Sequence, residues 1–134
     1  MNIENLKKNV TKARKVLEQH NKELNENFFG NFPCGACGNT SDILSKWLQS
    51  KGFKNIKYVS GQRGNISHGW LEIDALIIDI TSDQFEDGLG GVYIGTDRIF
   101  HDTFLNQRIS EPDMAPAVGW IYNKFCELMK TDSQ

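Results

Sequence analysis

Cys37, His68 and Asp79 are the residues of this chain whose types and order could together perform nucleophilic chemistry. The thiolate is the reactive form of cysteine, and a helix N-terminus or a neighbouring imidazolium lowers its pKa. An imidazole can carry the proton, while a carboxylate fixes its tautomer and stabilises the charged ring. Gly35 and Gly38 bracket Cys37 with residues that let a substrate backbone come close. If Cys37 opens a helix, its N–H is a natural oxyanion donor.

Other chemistries compete for the same residues. Cys34-Gly35-Ala36-Cys37 is also a C-x-x-C, the spacing of a thiol–disulfide pair. A thioredoxin-like fold needs a buried strand just before that motif, and Asn25 to Pro33 is polar with Gly and Pro instead. A milder expectation is Cys34 as a redox partner that switches Cys37 off. A zinc site would need a second ligand pair, which the sequence does not offer at ligand spacing, so no metal and no cofactor are expected. Cys126 sits on an apolar helix face and reads as a core thiol. His20 reads as a hydrogen-bonded core residue, His101 as an exposed loop residue or a rim contact. Glu72 shares a face with His68 but reads equally as solvated, and Arg63 and Arg98 as surface charges.

The elements that must position these groups follow from apolar periodicity. Leu6, Val10, Ala13, Leu17, His20 and Leu24 fall on one face of a helix. Phe28 to Pro33 reads as a turn-rich approach. A second helix carries Ile43, Leu44, Trp47 and Leu48, ends at Gly52, and has Asn39, Thr40 and Ser41 as competent N-caps. The period then shifts to two. Asn55–Val59, Ser67–Ile73, Leu76–Ile80 and Val92–Gly95 read as strands, with a turn over Gly61–Asn65. Val118, Ile121, Tyr122, Phe125, Cys126 and Met129 form the face of a closing helix, with Pro116 near its start. Helices flanking hairpin-linked strands predict an α+β fold with a small antiparallel sheet.

The hairpin fixes the relation between His68 and Asp79. A two-residue turn at Asp74-Ala75 sets Ile73 opposite Leu76 and Leu71 opposite Ile78, which gathers the aliphatics on one face. His68, Trp70, Glu72, Ile77 and Asp79 share the other. His68 is then diagonal to Asp79, about 7–8 Å apart at Cα and within reach of a hydrogen bond between side chains.

At 134 residues the chain is expected to form a single domain, 1–134, and to bury roughly two-thirds of its unfolded surface without staples. Lys and Arg number 15 against 17 Asp and Glu, for a net charge of -2, which gives no footprint for nucleic acid or anionic lipid. The apolar runs are far too short to span a bilayer and the first residues lack a signal-peptide core, so a cytoplasmic location is expected, with export as an effector by a signal-independent route left open.

The order Cys37-Gly38 through Ser41, then His68-Gly69-Trp70-Leu71-Glu72, then Asp79-Ile80-Thr81 resembles the transglutaminase-like branch of papain-like cysteine enzymes. The stretch from Phe32 to Phe85 is similar to small bacterial members, including papain-fold toxin domains; the flanking helices lie outside the likeness. The resemblance implies a papain/transglutaminase-like fold, with N-terminal helices packed on a small sheet and a C-terminal helix. It implies Cys37 as nucleophile, His68 as base, Asp79 as orienting carboxylate and Trp70 as a wall of the site. The activity would be acyl transfer through a thioester, as a peptidase, a glutamine deamidase or a crosslinking enzyme acting on a protein or peptide. The papain-like glutamine ahead of the cysteine is missing, and Gln62 or Asn31 would take its place as oxyanion donor. The alternatives are a non-catalytic papain-fold binding module and a C-x-x-C redox-regulated protein.

Overall fold

The computed structural model describes residues 1–34, 37–112 and 119–131, without the side chains of 26–28 and 37. Pro116, Val118 and the side chain of Cys37 therefore lie outside the described residues. The chain is α+β: helix α1 (Ile3–Phe29), helix α2 (Cys37–Ser50), strands β1 (Ile56–Arg63), β2 (Ile66–Ile73), β3 (Leu76–Asp79), β4 (Tyr93–Gly95) and β5 (Leu105–Ser110), and helix α3 (Gly119–Thr131). Among the described residues no helix is long and apolar enough to cross a membrane.

Leu6, Val10, Ala13, Leu17 and Leu24 of the first stripe are fully buried. His20 departs from the stripe. Its backbone leaves helical geometry (φ -123°, ψ 19°), and its half-buried ring pairs with Glu23 rather than sitting in the core. A second departure at Asn25 bends α1 again, and the helix then runs on to Phe29, which is fully buried. The turn therefore begins at Gly30, not Phe28.

Helix α2 starts at Cys37, so Asn39, Thr40 and Ser41 lie within its first turns instead of capping it. Its end is as the sequence predicts. Gly52 takes φ 93°, and the Phe53 N–H returns to the Leu48 carbonyl at 3.1 Å.

The five strands form an antiparallel sheet in the order β4-β3-β2-β1-β5. Strand β2 pairs with β3 in the predicted register, Ile73 opposite Leu76 and Leu71 opposite Ile78. Asp74 absorbs the left-handed conformation of that turn (φ 54°), which is why Ala75 is tolerated beside it. Strand β1 runs longer than expected, to Arg63, and the turn narrows to Gly64-Asn65 with Gly64 at φ 65°. Strand β5 is absent from the periodicity because its residues are almost all exposed, so neither face is marked by apolar alternation.

Both faces of the sheet are covered. Ile56, Leu71, Ile73, Ile78 and Ile80 pack under α1, α2 and α3 in the main core. The opposite face is also buried: Val59, Trp70 and Ile77 meet Phe100 and Phe104 in a second cluster. The cover comes from residues 96–104, which pass from β4 at one edge to β5 at the other. Arg14 ties α1 to the segment after β3, through a two-pronged pair with Asp83 (2.7 Å each) and a bond to the Ile80 carbonyl at 2.7 Å.

Helix α2 packs on β1 and β2 in the main core, and its head comes close to Gly69 of β2 through the Tyr58 hydroxyl. A side chain at Gly69 would come within 2.1 Å of the Tyr58 hydroxyl and 2.6 Å of its ring, and a Cβ at Gly38 would stand 3.9 Å from the same hydroxyl. Gly69→Ala should therefore cost about 1–3 kcal/mol through overpacking. Urea denaturation checks this. The loss should shrink in a Tyr58→Ala background, and an equal loss in both backgrounds would contradict the contact.

Candidate active site

Strand β2 supplies His68, the end of β3 supplies Asp79, and a short 3-10 turn at His101–Thr103 supplies His101. The Nε2 atoms of His68 and His101 each lie 2.7 Å from the same Asp79 oxygen, Oδ2. The other oxygen, Oδ1, accepts the Thr81 N–H at 3.0 Å and its hydroxyl at 3.4 Å. Asp79 is 2% exposed, His68 1% and His101 0%. Burial would push the Asp79 carboxyl up. The hydrogen bonds from His101 and His68, the charge of His68 and the Thr81 N–H outweigh it, and hold the group at about 2 against an ordinary 3.8.

His101 is the correction to the sequence reading. It is neither an exposed loop residue nor a rim contact; it is the second imidazole on Asp79. The signal lay in its neighbours, since Phe100 and Phe104 flank it in a stretch too aromatic for a surface loop. Its ring stacks on Tyr93 at 5.7 Å and meets Trp70 edge-on at 4.6 Å. The His68 ring lies among Phe85, Phe104 and Trp70 at 5.0, 5.3 and 5.5 Å. Trp70 is thus an inner wall of this cluster.

Two charges read as surface residues close the cluster. The Arg63 guanidinium lies 4.5 Å from the Phe104 ring centre and pairs with Asp87 at 2.8 Å. Arg98 holds Glu72 at 3.0 Å, and Glu72 accepts the Trp70 indole N–H at 2.9 Å. Glu72 is therefore a bracing residue rather than a solvated one.

The remaining expected residues divide. Cys37 is the first residue of α2, and that helix head comes close to Gly69, next in sequence to His68. Cys34 carries a free, exposed thiol, and Cys126 is a half-buried free thiol against the main core. Asn31 sits in the turn before α2, its carbonyl receiving the Cys34 N–H at 2.8 Å. Gln62 is exposed and lines a groove of about 390 Å³ with Ser60, Gly61, Ser67, Asn106 and Arg108.

Ligand atoms of His68, Asp79 and His101 lie within 4.8 Å of one another, the donor set of a small cation site. His101 fits that role poorly. A metal on its Nε2 would leave the ring proton on Nδ1, which is buried with no acceptor, whereas metal-bound histidines donate that N–H. The tautomer with the proton on Nε2 leaves only a lone pair at Nδ1 and satisfies Asp79.

The chain matches no protein-family model, no curated protein and no solved structure.

The depressed Asp79 pKa makes a pH prediction. Its folded value is below its unfolded value, so its contribution to stability is full above pH 4 and is lost as pH falls toward 2. A drop from 3.8 to about 2 corresponds to roughly 2 kcal/mol. Asp79→Asn should lower stability at neutral pH by about 3–5 kcal/mol, because a buried partner is removed, and should flatten this acid limb. Denaturation midpoints between pH 2 and 6 test it; an unchanged acid limb in the variant would assign the loss to another group.

Proposed function

We propose that this protein is a cysteine-dependent acyl-transfer enzyme with a papain/transglutaminase-like arrangement, in which Cys37, His68 and Asp79 act together. The observation that carries this reading is the buried His68 Nε2–Asp79 Oδ2 pair, on the strand whose next residue, Gly69, shares the Tyr58 hydroxyl with Gly38 of the α2 head. A His–carboxylate pair beside a helix that opens on a cysteine is the combination a thiol nucleophile needs.

In this reading Asp79 keeps the Nε2 proton of His68 in place and Nδ1 accepts the Cys37 proton. This requires the α2 head, packed on the other face of β2, to reach His68 past the side-chain-free Gly69. The sulfur attacks an amide or ester carbonyl, and the imidazolium returns the proton to the leaving amine or alcohol. The result is a thioester on Cys37. Water or an amine then adds to that thioester with His68 as base, releasing the acid or new amide and restoring the thiol. His101 is a positioning residue: by sharing Oδ2 it helps to hold the carboxylate in place and to keep it charged. The substrate is a protein or peptide.

Alkylation tests the reading. With limiting iodoacetamide at neutral pH, Cys37 should react about tenfold or more faster than Cys34, an exposed ordinary thiol, and faster still than Cys126. His68→Ala should bring Cys37 down to the Cys34 rate. Peptide mass spectrometry reads all three sites at once. A Cys37 rate no higher than that of Cys34, or one indifferent to His68, would defeat the proposal.

A further inference from the structure

The groove lined by Ser60, Gly61, Gln62, Ser67, Asn106 and Arg108 has no part in the His–Asp–His cluster, which faces the other side of the sheet. Its place follows from the register. Tyr58 and Leu71 are paired and both pack on the helix-covered side, so Ser60, Gln62, Ser67 and Gly69, at even steps from them, also face that side. Near the head of α2, Gly38 and Gly69 both approach the Tyr58 hydroxyl. Toward this end of the strands Gln62, Ser67, Asn106 and Arg108 are exposed, and they line the groove.

A local irregularity shapes it. The β1–β5 pairing shifts between Ser60 and Gln62, and Asn106 takes φ 55° at the same level. The depression of about 390 Å³ lies at this irregularity.

The lining is chemically one-sided. It offers hydroxyls from Ser60 and Ser67, amides from Gln62 and Asn106, and the Arg108 guanidinium, with no acidic side chain among the described residues. Among the described residues Arg108 pairs with no carboxylate, although Arg14, Arg63 and Arg98 each do. An arginine flanked by hydroxyls and amides is arranged for a planar anion that accepts several hydrogen bonds. On the groove floor, Gly61 is the β1 partner of His68.

We infer that this groove is a subsite for a peptide carboxylate, so that the substrate carries an acidic group close to the carbonyl under attack. This rests on the acyl-transfer reading for its meaning but not for its test. The carboxylate could belong to an Asp or Glu side chain or to a chain terminus.

The experiment is an NMR titration of ¹⁵N-labelled protein carrying Cys37→Ala, with three tripeptides. One is capped at both ends with a central glutamate, one is the same with a central lysine, and one is neutral with a free C-terminal carboxylate. The glutamate peptide should shift the amides of Ser60, Gln62 and Asn106 and bind roughly three- to tenfold more tightly than the lysine peptide, a difference that salt weakens. Arg108→Glu should reverse the preference. Binding of the free-carboxylate peptide alone would support the subsite and assign it to a chain terminus. Equal response to all three peptides, no response in the groove, or a preference indifferent to Arg108→Glu would overturn the inference. Iodoacetamide reactivity of Cys37, measured in parallel on wild type and Arg108→Glu, separates the two proposals. Failure of the groove with a fast Cys37 removes only the subsite, whereas a slow Cys37 with a responsive groove removes only the acyl-transfer reading.

Discussion

A single carboxylate with every lone pair committed organises this molecule. Asp79 sits almost out of contact with water and would be costly there as an isolated charge. Two imidazoles and both donors of Thr81 offset that cost. Each donor comes from a different part of the chain: His68 from β2, Thr81 from the exit of β3, His101 from the segment between β4 and β5. Satisfying Asp79 thus requires the hairpin register, the end of β3 and the path of residues 96–104 to be right together. The aromatic rings around the histidines exclude water, which strengthens these bonds and raises the penalty if any one is lost.

The sheet separates two kinds of environment. Its helix-covered side is an ordinary aliphatic core built from three amphipathic helices. The other side is aromatic and histidine-rich, sealed by Arg63 over Phe104 and by Arg98 through Glu72 onto Trp70. The polar groove lies on the helix-covered side of the sheet. His68 lies on the opposite face of β2.

Much of this was legible in the sequence. Alternation of Leu71, Ile73, Leu76 and Ile78 fixed one register, and that register alone put His68 and Asp79 on a common face. The Gly52-Phe53 stop likewise declared the end of α2. What was not legible depended on long-range cover. Strand β5 has nearly every side chain in solvent, so no period marks it. His101 looked like a loop residue because its burial comes from β2 and β4, which lie far from it in sequence. Arg63 and Arg98 read as surface charges since nothing local reveals the rings and carboxylate they meet. His20 erred in the other direction: it fits the apolar stripe by spacing, yet the bend at its own position turns it toward Glu23.

The path of residues 96–104 carries a constraint on length. They start at β4 and must arrive at β5, the opposite edge of a five-stranded sheet, so at ordinary strand spacing they cross roughly 19 Å. A stretch of that size could cover more if fully extended, but part of it is spent on the 3-10 turn that presents His101. Little slack is left over. Unlike a surface loop, which absorbs gained or lost residues cheaply, this one acts as a strap cut to measure. Shortening it would draw β5 off β1, and lengthening it would let His101 drift from Asp79. Among relatives of this chain, a constant number of residues between β4 and β5 is therefore expected even where their identities change.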